Sequence, residues 1–207
     1  MGQIRINSCY VISSACLALL FAGCLSIPIS PTPRFYKLQA IHEDQAIKKM
    51  NTASQVLIGV GPVKIPEYLD RPQIVTRGKE MTLKFAQFDR WVEPLDLGVA
   101  RLLREDLTVV LPKARLIAYP WNQLMPVKYQ VVVEIIQLDS ELDKELFLVA
   151  QWQVIDVESR MTLIINRSVI RQSIIPQDYP GLAMALSAAC ASFSREIAAA
   201  LAMLEDH

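Results

Sequence analysis

The residue with the clearest chemistry is a single thiol. Leu20-Phe21-Ala22-Gly23-Cys24 closes an apolar run with two small residues and a cysteine, the pattern at which a lipoprotein signal peptide is cut. Phe21 stands where an aliphatic residue is more usual. Cys24 becomes the first residue of the mature chain, with a diacylglycerol on its sulfur and a third acyl chain on its freed amine. Each buried CH₂ adds about 0.8 kcal/mol of membrane affinity, so three chains anchor what one holds only marginally. The preceding residues agree. Arg5 is the one charge before Cys24, and the apolar run Val11 to Phe21 is broken only by Ser13 and Ser14. It falls short of the roughly 20 residues a membrane-spanning helix needs and reads as the core of a cleaved signal peptide. An uncleaved anchor or a buried helix is the alternative; with a signal or an anchor, the body lies outside the cytoplasm.

The rest of the chain offers little for catalysis or metal binding. His42 lies in a polar stretch and His207 is the last residue, and neither has a sequence neighbourhood with the convergent partners of a zinc site or a triad. A Gly-x-Ser-x-Gly elbow is missing, which argues against an envelope hydrolase. Asp139-Ser140-Glu141-Leu142-Asp143 alternates oxygen-bearing side chains like the start of a calcium loop, but lacks that loop's sixth-position glycine and twelfth-position glutamate. It is expected to be a charged hairpin loop. Neither a cofactor nor a metal is expected. Cys9 and Cys16 leave with the signal, Cys24 is acylated, and Cys190, on an Ala-rich stretch, is expected to be a small buried hydrophobe without a disulfide partner.

Cleavage leaves 184 residues, and removing Arg5 from a balance of 21 Lys+Arg against 21 Asp+Glu keeps the chain near neutral. Nucleic-acid binding, which needs a basic stripe, is not expected. This length suits one domain with its own core. The division is a signal peptide over 1–23, the lipidated cysteine and a Ser/Pro-rich tether over 24–33, and a single domain over 34–207.

The elements of that domain can be read in order. Arg34 to Leu38 is a short strand, and 42–52 a surface loop or loose helix. Gln55 to Ile65, apolar on both faces, is a central strand interrupted at Gly61-Pro62. Ile74 to Arg77 and Met81 to Phe85 form a hairpin about a turn at Gly78-Lys79. Leu95, Val99, Leu102, Leu103, Leu107 and Val110 recur at three and four residues, marking an amphipathic helix between Pro94 and Pro112 whose solvated side carries Arg101, Arg104 and Glu105. Ala114 to Ala118 is a strand reached by a crossover. Tyr129 to Leu138, Leu146 to Val157 and Thr162 to Arg171 form a meander. A long helix over Pro180 to Leu204 carries Leu182, Leu186, Ala189, Phe193, Ile197, Ala200 and Leu204 on one stripe, with Arg195 and Glu196 excluding a membrane span. The fold class is α/β in the mixed α+β sense: a mixed, mostly antiparallel sheet packed by two long helices.

Two runs are distinctive. One is Val63-Lys64-Ile65-Pro66-Glu67-Tyr68-Leu69-Asp70-Arg71-Pro72-Gln73-Ile74-Val75-Thr76-Arg77, in which Pro66 and Pro72 forbid a long helix and put Tyr68 and Leu69 on a tight bend. The other is Arg90-Trp91-Val92-Glu93-Pro94-Leu95. Together with the Ala-rich last helix they resemble the ABC-type transport auxiliary lipoproteins, the PqiC/YmbA family, over most of the mature chain. Val92 departs from the alanine usual in that family.

The resemblance implies a fold similar to the N-terminal domain of TolB and the anticodon-binding domains. It implies a non-enzymatic accessory of a lipid transport system whose partner is an MCE-domain protein fixed in the inner membrane and crossing the periplasm. Leu25 after the cysteine, in place of an aspartate that would retain the protein at the inner membrane, implies anchorage in the outer membrane on its periplasmic face. The partner surface is expected around Glu67, Tyr68, Leu69, Asp70, Arg71 and Trp91, where aromatic and proline-shaped protrusions suit protein contacts, with fixing the bend or packing in the core as the alternative role for these residues. A tube-shaped partner also invites a homo-oligomeric ring. The rival classes are a lipid carrier, which needs an enclosed apolar cavity, and a hydrolase.

Overall fold

The longest strands are those richest in β-branched and aromatic residues, and the helices are those whose apolar residues return every three or four positions. A computed structural model describes residues 31–40 and 56–205 of the chain. Cys24, both histidines and the stretch 42–52 lie outside the described residues. The body beginning at Pro33 is one unit. Among the described residues its elements are β1 (Arg34–Tyr36), β2 (Leu57–Lys64), a 3₁₀ turn (Glu67–Leu69), β3 (Gln73–Arg77), β4 (Leu83–Trp91), α1 (Leu95–Val110), β5 (Arg115–Ala118), β6 (Tyr129–Ser140), β7 (Glu145–Asp156), β8 (Thr162–Ser173) and α2 (Tyr179–Glu205). The mixed α+β class with two long helices is what the chain adopts.

The strands divide between two sheets. Five form the order β5-β2-β6-β7-β8, and three the order β1-β4-β3. In the larger sheet β2 is central and parallel to both neighbours, while β6, β7 and β8 are the expected antiparallel meander. β2 does not end at its proline: it continues to Lys64 through an irregularity between Val60 and Val63, which spares Pro62 a ladder bond it cannot make. The Trp121 ring lies directly on Gly59, where a Cβ would fall 2.3 Å from it and push the indole aside.

The smaller sheet corrects the hairpin reading. β4 begins at Leu83 and runs on to Trp91, past the expected end at Phe85. The turn sits at Glu80-Met81, with φ of 56° and 61°, and not at Gly78-Lys79. β1 lies parallel to β4, Arg34 opposite Asp89 and Tyr36 opposite Trp91.

The helices cover one face of the larger sheet. α1 packs on β2, β5 and α2, and α2 on β8 and β7. The stripe Leu95, Val99, Leu102, Leu103, Leu107 and Val110 is fully buried, as are Leu182, Leu186, Ala189, Phe193 and Ile197. Each such large aliphatic or aromatic side chain contributes about 1.5–3 kcal/mol when removed from water. They meet Leu148, Ala150, Trp152 and Val154 of β7, with Trp152 and Phe193 edge to face at 6.3 Å between centroids. Cys190 is buried in this layer, and burial pushes its thiol well above the ordinary cysteine range.

Arg101 is not on a solvated side. Its guanidinium donates to Glu93 (2.7 and 3.0 Å), to Glu105 (2.9 Å) and to the Leu38 carbonyl (3.0 Å), tying α1 to the turn before it and to the segment after β1. The Gln39 amide donates to Ser187 Oγ at 3.1 Å, fastening that segment to α2 as well.

A candidate docking cleft

Pro66 and Pro72 bracket a single 3₁₀ turn. The Leu69 amide donates to the Pro66 carbonyl at 2.9 Å, Asp70 to Glu67 at 3.1 Å and Arg71 to Leu69 at 2.8 Å. The prolines fix φ at both ends and leave no room for a longer helix. The turn drives Leu69 inward to 4 % exposure, half-buries Tyr68, and leaves Glu67 and Asp70 in solvent. Burial raises the Tyr68 phenol above its usual range, with the Asp139 charge adding to it and a backbone hydrogen bond from Leu138 and the Arg77 charge opposing.

The chain returns to this bend through β4. Gln73 pairs with Arg90, and the Trp91 amide donates to the Pro72 carbonyl at 2.7 Å. The two distinctive runs of the sequence therefore lie side by side. Between them is a surface cleft of about 250 Å³ lined by Asp70, Arg71, Pro72, Trp91, Val92, Glu93 and Pro94. Val92 and the two prolines are exposed, with Asp70 and Glu93 at the rim. The Arg71 guanidinium lies 4.4 Å above the Phe85 ring, with its Nε buried and without an acceptor among the described residues.

Three of the six residues expected at a partner surface, Asp70, Arg71 and Trp91, share this cleft, whereas Glu67, Tyr68 and Leu69 do not line it. For two of the six the structure favours the bend-fixing role over display at the surface. Leu69 and Trp91, at 4 % and 7 % exposure, belong to the core, where burying their apolar surface outweighs any benefit of display. They set the shape of the bend from beneath. Pro72, Val92, Glu93 and Pro94 take their place at the surface; their sequence signal was two prolines around an exposed valine, legible only once β3 and β4 are known to pair.

Elsewhere the polar groups fasten elements together. Trp152 Nε1 donates to Ser168 Oγ at 3.0 Å, and the Ser168 hydroxyl donates to Glu196, joining β7, β8 and α2; Ser168 is 2 % exposed. Asp139 accepts from Arg77 at 2.7 Å, joining β6 to β3. Among the described residues there is no group of three or more His, Cys, Asp or Glu placed to hold a metal ion, and no helix long and apolar enough to cross a membrane. Two larger depressions, of about 650 and 770 Å³, open at the surface: one between 35–40 and α2, the other between the β3–β4 and β6–β7 turns.

A family model described as the ABC-type transport auxiliary lipoprotein component matches residues 36–198. The chain belongs to that family. The match covers both cleft-lining runs and nearly all of the two-sheet body, so membership in the auxiliary lipoproteins rests on the domain itself and brings with it an accessory role in transport and attachment to the cell envelope. No curated protein matches the chain. Among solved structures, a crystallised protein of uncharacterised function is similar over 83 % of this chain and 99 % of its own, with a TM-score of 0.68 at 18 % identity. A DUF330-family protein from Xanthomonas campestris is similar over 79 % of this chain and 92 % of its own, with a TM-score of 0.64 at 11 % identity. At these identities the likeness is one of fold.

Proposed function

We propose that this auxiliary lipoprotein is a non-enzymatic docking module, held by acyl chains on Cys24 in the outer membrane and facing the periplasm. Its partner in this reading is an MCE-domain protein that reaches across the periplasm from the inner membrane as part of a lipid transport system. Several copies around a tubular partner would form a ring. The contact surface is the cleft between the 3₁₀ bend and the end of β4, with Asp70 and Val92 exposed, Arg71 and Glu93 half-buried at its edge, and Leu69 and Trp91 holding their shape.

The observation that carries the reading is the convergence of the two sequence runs on one cleft, strapped by the Trp91 to Pro72 hydrogen bond. An apolar centre of proline and valine rimmed by Asp70, Arg71 and Glu93 has the anatomy of a protein contact. The test is a photo-crosslinking amino acid at Val92 in intact envelopes, with Ile175, exposed elsewhere, as the control position. Capture of a periplasm-spanning inner-membrane protein from Val92 and not from Ile175 supports docking. Failure to capture protein, with phospholipid co-purifying with the folded chain, would hand the function to a lipid carrier.

A further inference from the structure

The β3–β4 hairpin ends in a turn of four residues, Lys79-Glu80-Met81-Thr82. The Thr82 amide donates to the Lys79 carbonyl at 3.2 Å and the Gly78 amide to the Thr82 carbonyl at 2.8 Å. Glu80 and Met81 both take positive φ, where glycine or asparagine is the low-energy choice. Met81 is nonetheless 85 % exposed there, with Leu83 and Phe85 exposed behind it on one face of β4. Lys79 and Lys84 are exposed as well, Lys84 on the opposite face of β4 from Leu83 and Phe85, and both border the depression that Met81 shares with Glu141 and Asp143, while Glu80 is the acidic residue of the tip itself. The nearby cations Arg77 and Lys144 are engaged by Asp139 and Glu141. An apolar tip with two lysines that have no ion-pair partner among the described residues is amphipathic in the way that suits an interface between hydrocarbon and phosphate.

The tether length agrees with that environment. Because β1 runs parallel to β4 from Arg34 opposite Asp89, the chain enters β1 from the side of β4 that leads back to the hairpin. The eight residues from Asp89 back to Met81 span at most about 27 Å of strand, and the register shift between Phe85 and Arg90 shortens this. The ten residues from Cys24 to Arg34 reach up to about 36 Å. An acylated Cys24 and the hairpin tip can therefore rest on one plane.

We propose that the tip of this hairpin is a second membrane contact: Met81 and Leu83 enter the headgroup region of the leaflet that holds the acyl chains, and Lys79 and Lys84 meet lipid phosphates. This rests on the lipid-anchor reading above and deepens it. Two points of attachment stop the body from swinging on its tether and leave the Trp91 end of β4, with the docking cleft, off the bilayer.

The test uses the full chain purified from envelopes and reconstituted in protein-free vesicles of phosphatidylethanolamine and phosphatidylglycerol. An environment-sensitive fluorophore is placed on M81C, and, as a control, on I165C in exposed β8. Flotation with the vesicles and the mass of the mature N-terminus report the anchor; the fluorophore reports the hairpin. The expected result is a blue shift, with quenching by spin-labelled lipid and protection from iodide, at position 81 and not at 165. An acylated, co-floating chain whose position 81 is as accessible to iodide as 165 overturns this inference alone. An unacylated chain that does not float overturns the anchor and this inference with it. Protection of position 81 in native envelopes but not in protein-free vesicles overturns the lipid assignment and gives the tip to a protein partner.

Discussion

Arg34, the first residue of β1, holds Asp89 of β4 through two nitrogens, Nε at 2.8 Å and a terminal nitrogen at 3.0 Å, while Tyr36 donates its hydroxyl to the same carboxylate at 2.7 Å. Asp89 is buried, and these contacts lock the start of the body to the middle of the smaller sheet. Asp89→Ala therefore loses about 1 kcal/mol, since it takes the acceptor from a half-buried phenol and frees an exposed arginine. Asp89→Asn, which can still accept from Tyr36, loses less. Urea midpoints rank the two variants, and limited proteolysis should cut ahead of Tyr36 first in Asp89→Ala.

The same carboxylate makes the fold sensitive to alkali. Burial, followed by the hydrogen bond to Asp89, pushes the Tyr36 phenol up to about 12 from its ordinary 10.0. The folded chain holds this proton more tightly than the unfolded chain does, so the contribution is complete below pH 10 and is lost as the pH rises from 10 toward 12. Tyr68 and Tyr179 are raised in the same direction, each chiefly by burial. Stability above pH 10 should consequently fall less steeply in Tyr36→Phe than in the wild-type chain when unfolding is followed at a series of pH values.

The start of α2 admits only glycine at one place. The Gly181 amide donates to Asp178 Oδ1 at 2.8 Å, and a Cβ on Gly181 would sit 1.8 Å from the Pro176 carbonyl oxygen. Backbone cannot yield as a flexible side chain does, so Gly181→Ala forces a local shift costing about 2 kcal/mol. In a chain of this size that lowers Tm by about 4–8 °C. A thermal melt at neutral pH reads it directly.

How much of this was visible beforehand varies by element. The helices were legible because Leu95 to Val110 and Leu182 to Leu204 repeat their apolar residues at helical spacing, and the meander because its three strands are long, β-branched and separated by short polar loops. The split into two sheets was not legible. β4 mixes buried Asp89 and Trp91 with exposed Gln87, and its pairing with β1 joins residues 55 positions apart, a separation that local pattern does not encode. Helical spacing puts Arg101 on the solvent side for a related reason: its partners Glu93 and Leu38 come from outside the helix. In the site, proline spacing revealed the bend, but whether Leu69 and Trp91 faced in or out depended on which strand lay beneath them.

The hairpin turn carries a cost that substitution can remove. Glu80→Asn with Met81→Gly supplies the residues a two-residue turn with positive φ prefers, and stabilises the fold by about 1–2 kcal/mol. The same double variant removes the exposed methionine, so it should raise the urea midpoint while weakening the membrane contact assigned to the tip. A gain in one property with a loss in the other would indicate that Met81 is kept for contact and not for folding.

Anchorage, docking and the hairpin contact all depend on the thiol ten residues ahead of Arg34. Intact-mass analysis of the protein isolated from cell envelopes addresses it most directly. The expected mass is that of a chain beginning at Cys24 and carrying three acyl chains, recovered with the outer-membrane fraction. A polypeptide that still begins at Met1, or one that begins at Cys24 with a free thiol, would contradict it.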